Sequence, residues 1–513
     1  MFKDPFYKGA FKTLVLIVLY VVAARYTYGV APLLLVLVGC AAAFSGKSGW
    51  AICCYMLLPF TINISPMVLP KVGFLWPIAL RFGTMAIALS LCFSASKRRG
   101  RNRLPFFGIV PFLLSACIGS ATGWLPMVSY MKLVNYFVFL LGIWIGTQNL
   151  QERPRDLLVI RKTLFAMTAF IILGSVAMIP FPTISYATSL QNAMQEGGEV
   201  AAVAAYRDMV LEGGKTLFCG IMNHSQALAP ILALAFAWLL CDMLFVEKRI
   251  RLPHVGLILL AMPMLYMTRS RVAFVTLSAS LFMIYFYTIR KIPIAYDVKR
   301  KIGVGMTLFI AATVLSMAFF EIKDDAVSKW LRKTQDVDAD ALQRSLTEAM
   351  TSSRQGLMEY SIYEYRRNPF FGSGFQVAAY NREMVKGEGL VLSASIEKGV
   401  LPVMVLGETG IVGAVLFAFF LISFYVTASR RRLYVTITMF TLLLASNMGE
   451  ASFFSPGGIG SVLWILTVCG GVVIDTVLLY ERNMRSSSVA QMSFQRNVYR
   501  ELCSPMRERG IGS

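Results

Sequence analysis

Apolar residues do not alternate with polar ones along this chain. They run on for long stretches, and short polar or basic intervals separate the stretches. About 20 apolar residues in helical form cross a hydrocarbon core of roughly 30 Å. Runs of this kind lie near 9–25, 27–45, 49–69, 72–95, 104–122, 126–148, 158–181, 216–246, 252–268, 271–289, 302–320, 399–428, 433–449 and 456–480. No small-residue cleavage site follows the first run, which therefore reads as a retained span. The pattern predicts an all-α, polytopic integral membrane helix bundle of about 12–14 transmembrane helices.

Two longer polar intervals, 182–215 and 321–398, break the series. The second contains "VDADALQRSLTEAM" and "SSRQGLMEYSIYEYRRNPFFGSGF", which read as amphipathic helices of a long external loop. Ser352 or Ser353 suits the cap of the latter helix, and Leu357, Tyr360, Ile362 and Tyr365 recur near helical spacing. Asn368-Pro369 stops it, and Gly372 and Gly374 permit a tight turn. The chain divides into 1–215 (N-terminal spans and first external loop), 216–320 (core spans), 321–398 (large loop), 399–480 (C-terminal spans) and 481–513 (a basic tail).

Composition agrees with the pattern. The 513 residues are 57% hydrophobic and 15% charged, whereas soluble domains carry about 25% charged residues. The formal charge of +21 would suggest nucleic acid on a soluble protein; here its location explains it. With the N-terminus inside, "KRRGRNR", "QERPRD", "EKRIR", "RKIPIAYDVKRK", "RRR" and the tail all fall on one side. With the N-terminus itself and Lys47, these ends and loops hold more than half of the 49 Lys and Arg, the bias expected of cytoplasmic loops. Both termini are thus expected in the cytoplasm and the large loop outside, with a lipid bilayer and no nucleic acid as partner.

Nine cysteines fall almost entirely in apolar runs, without CxxC spacing, and only His224 and His254 represent histidine. Disulfides, a metal site and a cofactor are not expected.

Arginine carries the candidate chemistry. Arg207, Arg271, Arg354, Arg366 and Arg367 lie outside or at the outer boundary, and Arg81 and Lys132 lie within spans. The guanidinium fork suits phosphate and diphosphate, and an intramembrane cation usually faces an interior or a watery cavity. The alternatives are snorkelling for Arg269 and Arg271, headgroup anchoring for Arg366 and Arg367, and a structural ion pair for Arg81. Asn223 and His224, in "CGIMNHSQALAP", suit sugar hydroxyls or helix packing. Glu408 sits inside an apolar run, with Glu397 just outside it and Glu450 on the same side. Such a carboxylate can act as general base toward a hydroxyl.

Four pieces, in this order, resemble the O-antigen ligase and polymerase superfamily of bacterial envelope glycosyltransferases. "GIMNHSQALAPILALAFAW" resembles its Gly-x-x-Asn span, and "LLAMPMLYMTRSRVAFVTLSASL" its Ser-Arg span. "SSRQGLMEYSIYEYRRNPFFGSGF" resembles its external arginine helix and Gly-x-Gly turn, and "LPVMVLGETGIVGAVLFAFF" its Glu-x-Gly span. The resemblance implies a metal-independent glycosyltransferase of the bacterial inner membrane, acting at a periplasmic cavity on undecaprenyl-diphosphate-linked glycan. It implies Arg207, Arg271 and Arg354 as diphosphate ligands, and the places of Arg81, Asn223 and His224 make them the further candidate substrate contacts. A chain-length regulator or an export complex is the implied protein partner. In place of the family ligases' His and the residue after it, with nine residues between them and Gly410-Ile411-Val412-Gly413, stand Gly399 and Val400. That departure leaves Glu397 and Glu408 as the candidate catalytic carboxylates. The expected activity is polymerisation of O-antigen, capsule or exopolysaccharide repeats. The alternatives are ligation of the finished glycan to lipid A core or protein, transport of the lipid-linked sugar, and a scaffold for export.

Overall fold

In a computed structural model the described residues are 4–71, 75–95, 108–123, 125–150, 154–181, 218–223, 225–268, 270–289, 358–377, 400–448, 452–455 and 458–486. Their regular structure is helical, and an isolated antiparallel bridge joins Ile64 to Met222. The helices are α1 (Pro5–Tyr26), α2 (Val30–Phe44), α3 (Ser48–Ile62), α4 (Leu75–Ala95), α5 (Val110–Thr122), α6 (Pro126–Leu150) and α7 (Pro154–Ala177). There follow α8 (Ser225–Cys241), α9 (Leu252–Met267), α10 (Arg271–Phe282), α11 (358–367), α12 (Leu401–Arg430), α13 (Tyr434–Ser446) and α14 (Ile459–Ser486). Wider π-turns extend α8 over Asp242–Glu247 and α10 over Met283–Ile289.

Local chemistry sets several boundaries. The Asp4 carboxylate accepts from Phe6 N at 3.0 Å, and Pro5 takes the first turn of α1, where its missing N–H costs nothing. Pro253 and Pro402 open α9 and α12 in the same way. The cap of α13 comes from another helix. Asp475 of α14 accepts from Val435 N at 3.0 Å, Thr436 N at 2.8 Å and Thr436 Oγ1 at 2.7 Å, satisfying first-turn amides that have no intrahelical partner.

Six described helices are long and apolar enough to cross a membrane: Pro5–Tyr26, Pro126–Thr147, Arg155–Ala177, Ala227–Glu247, Leu401–Arg430 and Ile459–Arg482. Seven shorter apolar helices pack with them. The chain is a multi-pass helical membrane protein. Helices α8 and α14 are buried along most of their length and form the centre, with Trp238 and Trp464 inside. Helices α1, α2 and α12 turn Leu16, Leu19, Leu34, Leu37, Val415 and Phe419 outward, as lipid-facing positions require. The expected runs at 49–69 and 216–246 are shorter as helices because 63–65 and 219–223 leave helical form to pair with each other. The run at 302–320 and the first loop helix lie outside the described residues.

By the alternation of the helices, a closed ionic cluster sits at the end of the bundle opposite the turn that follows α11. Arg161 of α7 donates Nε to Asp242 Oδ1 at 2.8 Å, Nη2 to Asp242 Oδ2 at 2.9 Å, and Nη2 also to Glu247. His254 Nε2 pairs with Asp242 Oδ2 at 2.9 Å, and its Nδ1 meets Tyr7 Oη at 3.1 Å. Arg251 Nε donates to Glu247 Oε2 at 2.9 Å. Arg161, Asp242, Glu247 and His254 are all buried, and the Arg161 guanidinium lies 4.1 Å from the Phe6 ring centre. The cluster joins α1, α7, the π-turn after α8, and α9.

Candidate functional site

Helix α12 is not continuous. Gly410 takes φ +64° and ψ −169°, far from helical values. A break there frees the carbonyls of Gly407 and Glu408 and the amides of Ile411 and Val412. Buried backbone groups need partners, and the turn after α11 supplies all four. Ile411 N donates to Pro369 O at 2.8 Å, and Val412 N to Phe370 O at 3.3 Å. In return Ser373 N donates to Gly407 O at 3.0 Å, and Gly374 N to Glu408 O at 3.1 Å. Ser373 Oγ adds a contact to Gly407 O at 3.1 Å.

Two glycines make this approach possible. Gly372 has φ +75°, and a Cβ on it would lie 2.3 Å from the Glu408 carbonyl carbon. A Cβ on Gly410 would lie 2.4 Å from Phe370 C. No side chain fits at either position while the turn stays docked. The turn also seats against α5 and α6. Ser129 Oγ donates to Phe375 O at 3.0 Å and lies 2.6 Å from Ser120 Oγ. Lys132 Nζ, buried, donates to Gln376 O at 2.9 Å. Phe375 enters an aromatic core, 5.8 Å from the Tyr136 ring and 5.3 Å from Phe454.

Helix α11 stands directly before this turn. Its buried face consists of Ser361 and Glu364, and Glu364 Oε2 accepts from Ser373 Oγ at 3.0 Å. The expected apolar face is thus corrected in its detail. Tyr360 and Tyr365 are half-buried, Ile362 is exposed, and Leu357 lies outside the described residues. Ser361 packs on Gly407 of α12, where an added Cβ would lie 2.8 Å from the Ser361 carbonyl oxygen. Arg366 and Arg367 are exposed.

A second irregular region lies beside the start of α8. Ser65 N donates to Ile221 O at 2.9 Å, and Asn223 N to Asn63 O at 2.8 Å. Among the described residues the buried Asn223 Oδ1 has no hydrogen-bond partner. Nearby, Lys71 Nζ donates to Ile64 O at 3.0 Å and to Ile62 O. Burial lowers the Lys71 ammonium from 10.5 to about 8.

The structure therefore brings together two of the sequence motifs, the Glu-x-Gly span and the Gly-x-Gly turn. Glu408 is fully buried at the break. Arg271 is the first residue of α10, where Ser270 Oγ caps Ala273 N at 3.4 Å, and Arg81 is on α4; their side chains lie outside the described residues. Arg207, His224, Arg354, Glu397, Arg269 and Glu450 also lie outside them. Among the described residues no group of three His, Cys, Asp or Glu could hold a metal ion. Arg161 and its partners were not singled out from sequence. The signal available was the pair Asp242 and Glu247 at the end of an otherwise apolar run, followed by His254.

With the geometry in hand, the comparisons add one match. Residues 256–418 match the family model described as O-antigen ligase. The matched segment includes Arg271, the whole of α11 with its turn, and the break at Gly410. No curated protein and no solved structure matches the chain.

Proposed function

We propose that this chain, whose residues 256–418 match the family model described as O-antigen ligase, is a polysaccharide polymerase of the bacterial inner membrane. It transfers a growing glycan from undecaprenyl diphosphate to a hydroxyl of another lipid-linked repeat. Both termini are cytoplasmic and the large loop is periplasmic. The observation that carries the reading is the docking of the turn after α11 onto the break beside Glu408. Irregular backbone at membrane depth is tolerated where protein satisfies it or where it lines a cavity. Here it joins a buried carboxylate to the segment that follows the arginine helix.

In this reading Glu408 or Glu397 accepts the proton of the acceptor hydroxyl. The hydroxyl oxygen bonds to the anomeric carbon, the carbon–oxygen bond to diphosphate breaks, and undecaprenyl diphosphate departs. Arg207, Arg271 and Arg354 hold the diphosphate and stabilise its growing charge. Arg81, Asn223 and His224 contact the substrate, and the buried Asn223 Oδ1, without a partner among the described residues, offers an acceptor to a sugar hydroxyl. No metal is required. A chain-length regulator or an export complex is the partner this activity would use. The second reading, ligation to lipid A core or protein, rests on the same matched segment.

The test is turnover by the full chain in liposomes with lipid-linked repeat units. The wild type should form a ladder of products. Glu408→Gln or Arg271→Ala should lower the rate at least ~100-fold, the size typical of a lost general base or oxyanion donor. Full activity in both variants would remove these residues from the reaction.

A further inference from the structure

The turn and the break explain each other. A continuous helix over Leu401–Arg430 would pair Ile411 N with Gly407 O and Val412 N with Glu408 O. The structure replaces those two bonds with four, all to residues 369–374. We propose that the turn and the break form one two-state element. When the turn is docked, α12 is broken at Gly410. When the turn leaves, Gly410 takes helical angles and α12 closes its own bonds.

Two independent observations support the exchange. The bonding is reciprocal, since the two freed carbonyls and two freed amides of α12 all find partners in the same turn. The steric fit is reciprocal as well. Gly372 and Gly410 both have positive φ, and each leaves room for the backbone of the other segment. Gly410 needs its φ of +64° only in the broken form. In the released state residues 369–374 meet water, while Phe375 O and Gln376 O keep their bonds to Ser129 and the buried Lys132. The four groups of α12 thus have partners in either arrangement, as a two-state element requires.

The consequence deepens the proposed polymerase reading and rests on it. Docking fixes α11 and the Glu408 peptide relative to each other, and release turns residues 401–409 relative to 411–430. Gly372, Gly410 and Ser373 are then positioning residues for Glu408. The exchange itself holds whether or not the chain transfers glycan.

Hydrogen exchange on the full chain in lipid nanodiscs tests it without an activity readout. In the wild type, Ser373 and Gly374 amides should exchange by release of the turn. Ile411 and Val412 are bonded in both states, so they should be at least ~10-fold better protected. Gly372→Ala should lower protection at Ser373 and Gly374 by ~10-fold or more, with Ile411 and Val412 unchanged or better protected. Gly410→Ala, changed on the other partner, should give the same pattern. Loss of protection at all four amides together would overturn the proposal, because the break would then have no alternative partner. Unchanged protection in both variants would overturn it too.

Discussion

Replacing Arg161 with methionine tests the buried ionic cluster. Methionine keeps much of the side-chain volume and its packing on Phe6, and removes the charge. The change deletes two hydrogen bonds to Asp242 and one to Glu247. It leaves both carboxylates buried, with His254 and Arg251 as the remaining partners the cluster offers. Summing the three charge-assisted bonds at their individual worth would give roughly 5–9 kcal/mol. That sum overshoots, because part of the attraction was already offset by the cost of burying the guanidinium. Removing one partner of a buried ion pair costs about 3–5 kcal/mol, and this is the loss expected for Arg161→Met. Cys53, Cys241 and Cys469 are buried free thiols, so a thiol-reactive dye in mild detergent reports opening of the bundle during a denaturant or thermal ramp. The variant combining Arg161→Met with Asp242→Asn and Glu247→Gln should recover at least half of the loss, because no buried charge is then left without its partner. A single-variant loss below ~1 kcal/mol, or no recovery in the combined variant, would refute the reasoning.

Two further perturbations follow from the same structure. Asp475→Asn keeps one acceptor of the side chain that caps α13, and should cost about 1–3 kcal/mol in the same thiol assay; an unchanged midpoint would show that the cap is dispensable. Lys71 is lowered from 10.5 to about 8, so between those values the unfolded chain holds a proton that the folded chain has released. Stability should rise with pH across that window, and Lys71→Met should flatten the rise; melts from pH 8 to 10 that stay parallel for the two proteins would contradict it.

What was legible in the sequence depended on how local the signal was. The spans were readable because an apolar run states its own environment. The helical start of α10 at Arg271 and the end of α11 at Asn368-Pro369 were readable because a cap or a proline acts within a few residues. The break in α12 was not. "LGETGIVG" reads as uninterrupted helix, and the partners that satisfy its freed groups lie at 369–374. The ends of the 49–69 and 216–246 runs were misjudged for the same reason, since the pairing of 63–65 with 219–223 is long-range. Arg161 lies inside the expected run 158–181, and nothing local distinguishes it. Its partners come from residues 242 and 247, on another helix. Sequence could mark Glu408 as unusual, because a carboxylate in an apolar run is costly. It could not show that the Gly-x-Gly turn would meet that residue's own peptide.

The central claim is that the chain joins lipid-linked repeats into long polymer outside the cytoplasm. The most direct measurement is polymer length in a strain lacking this protein, with lipid-linked intermediates extracted in parallel. The account predicts loss of long chains while single repeats accumulate on the outer face of the membrane. Long chains retained on the lipid carrier but missing from their final acceptor would contradict polymerisation and assign ligation. Repeats trapped on the cytoplasmic face would contradict both.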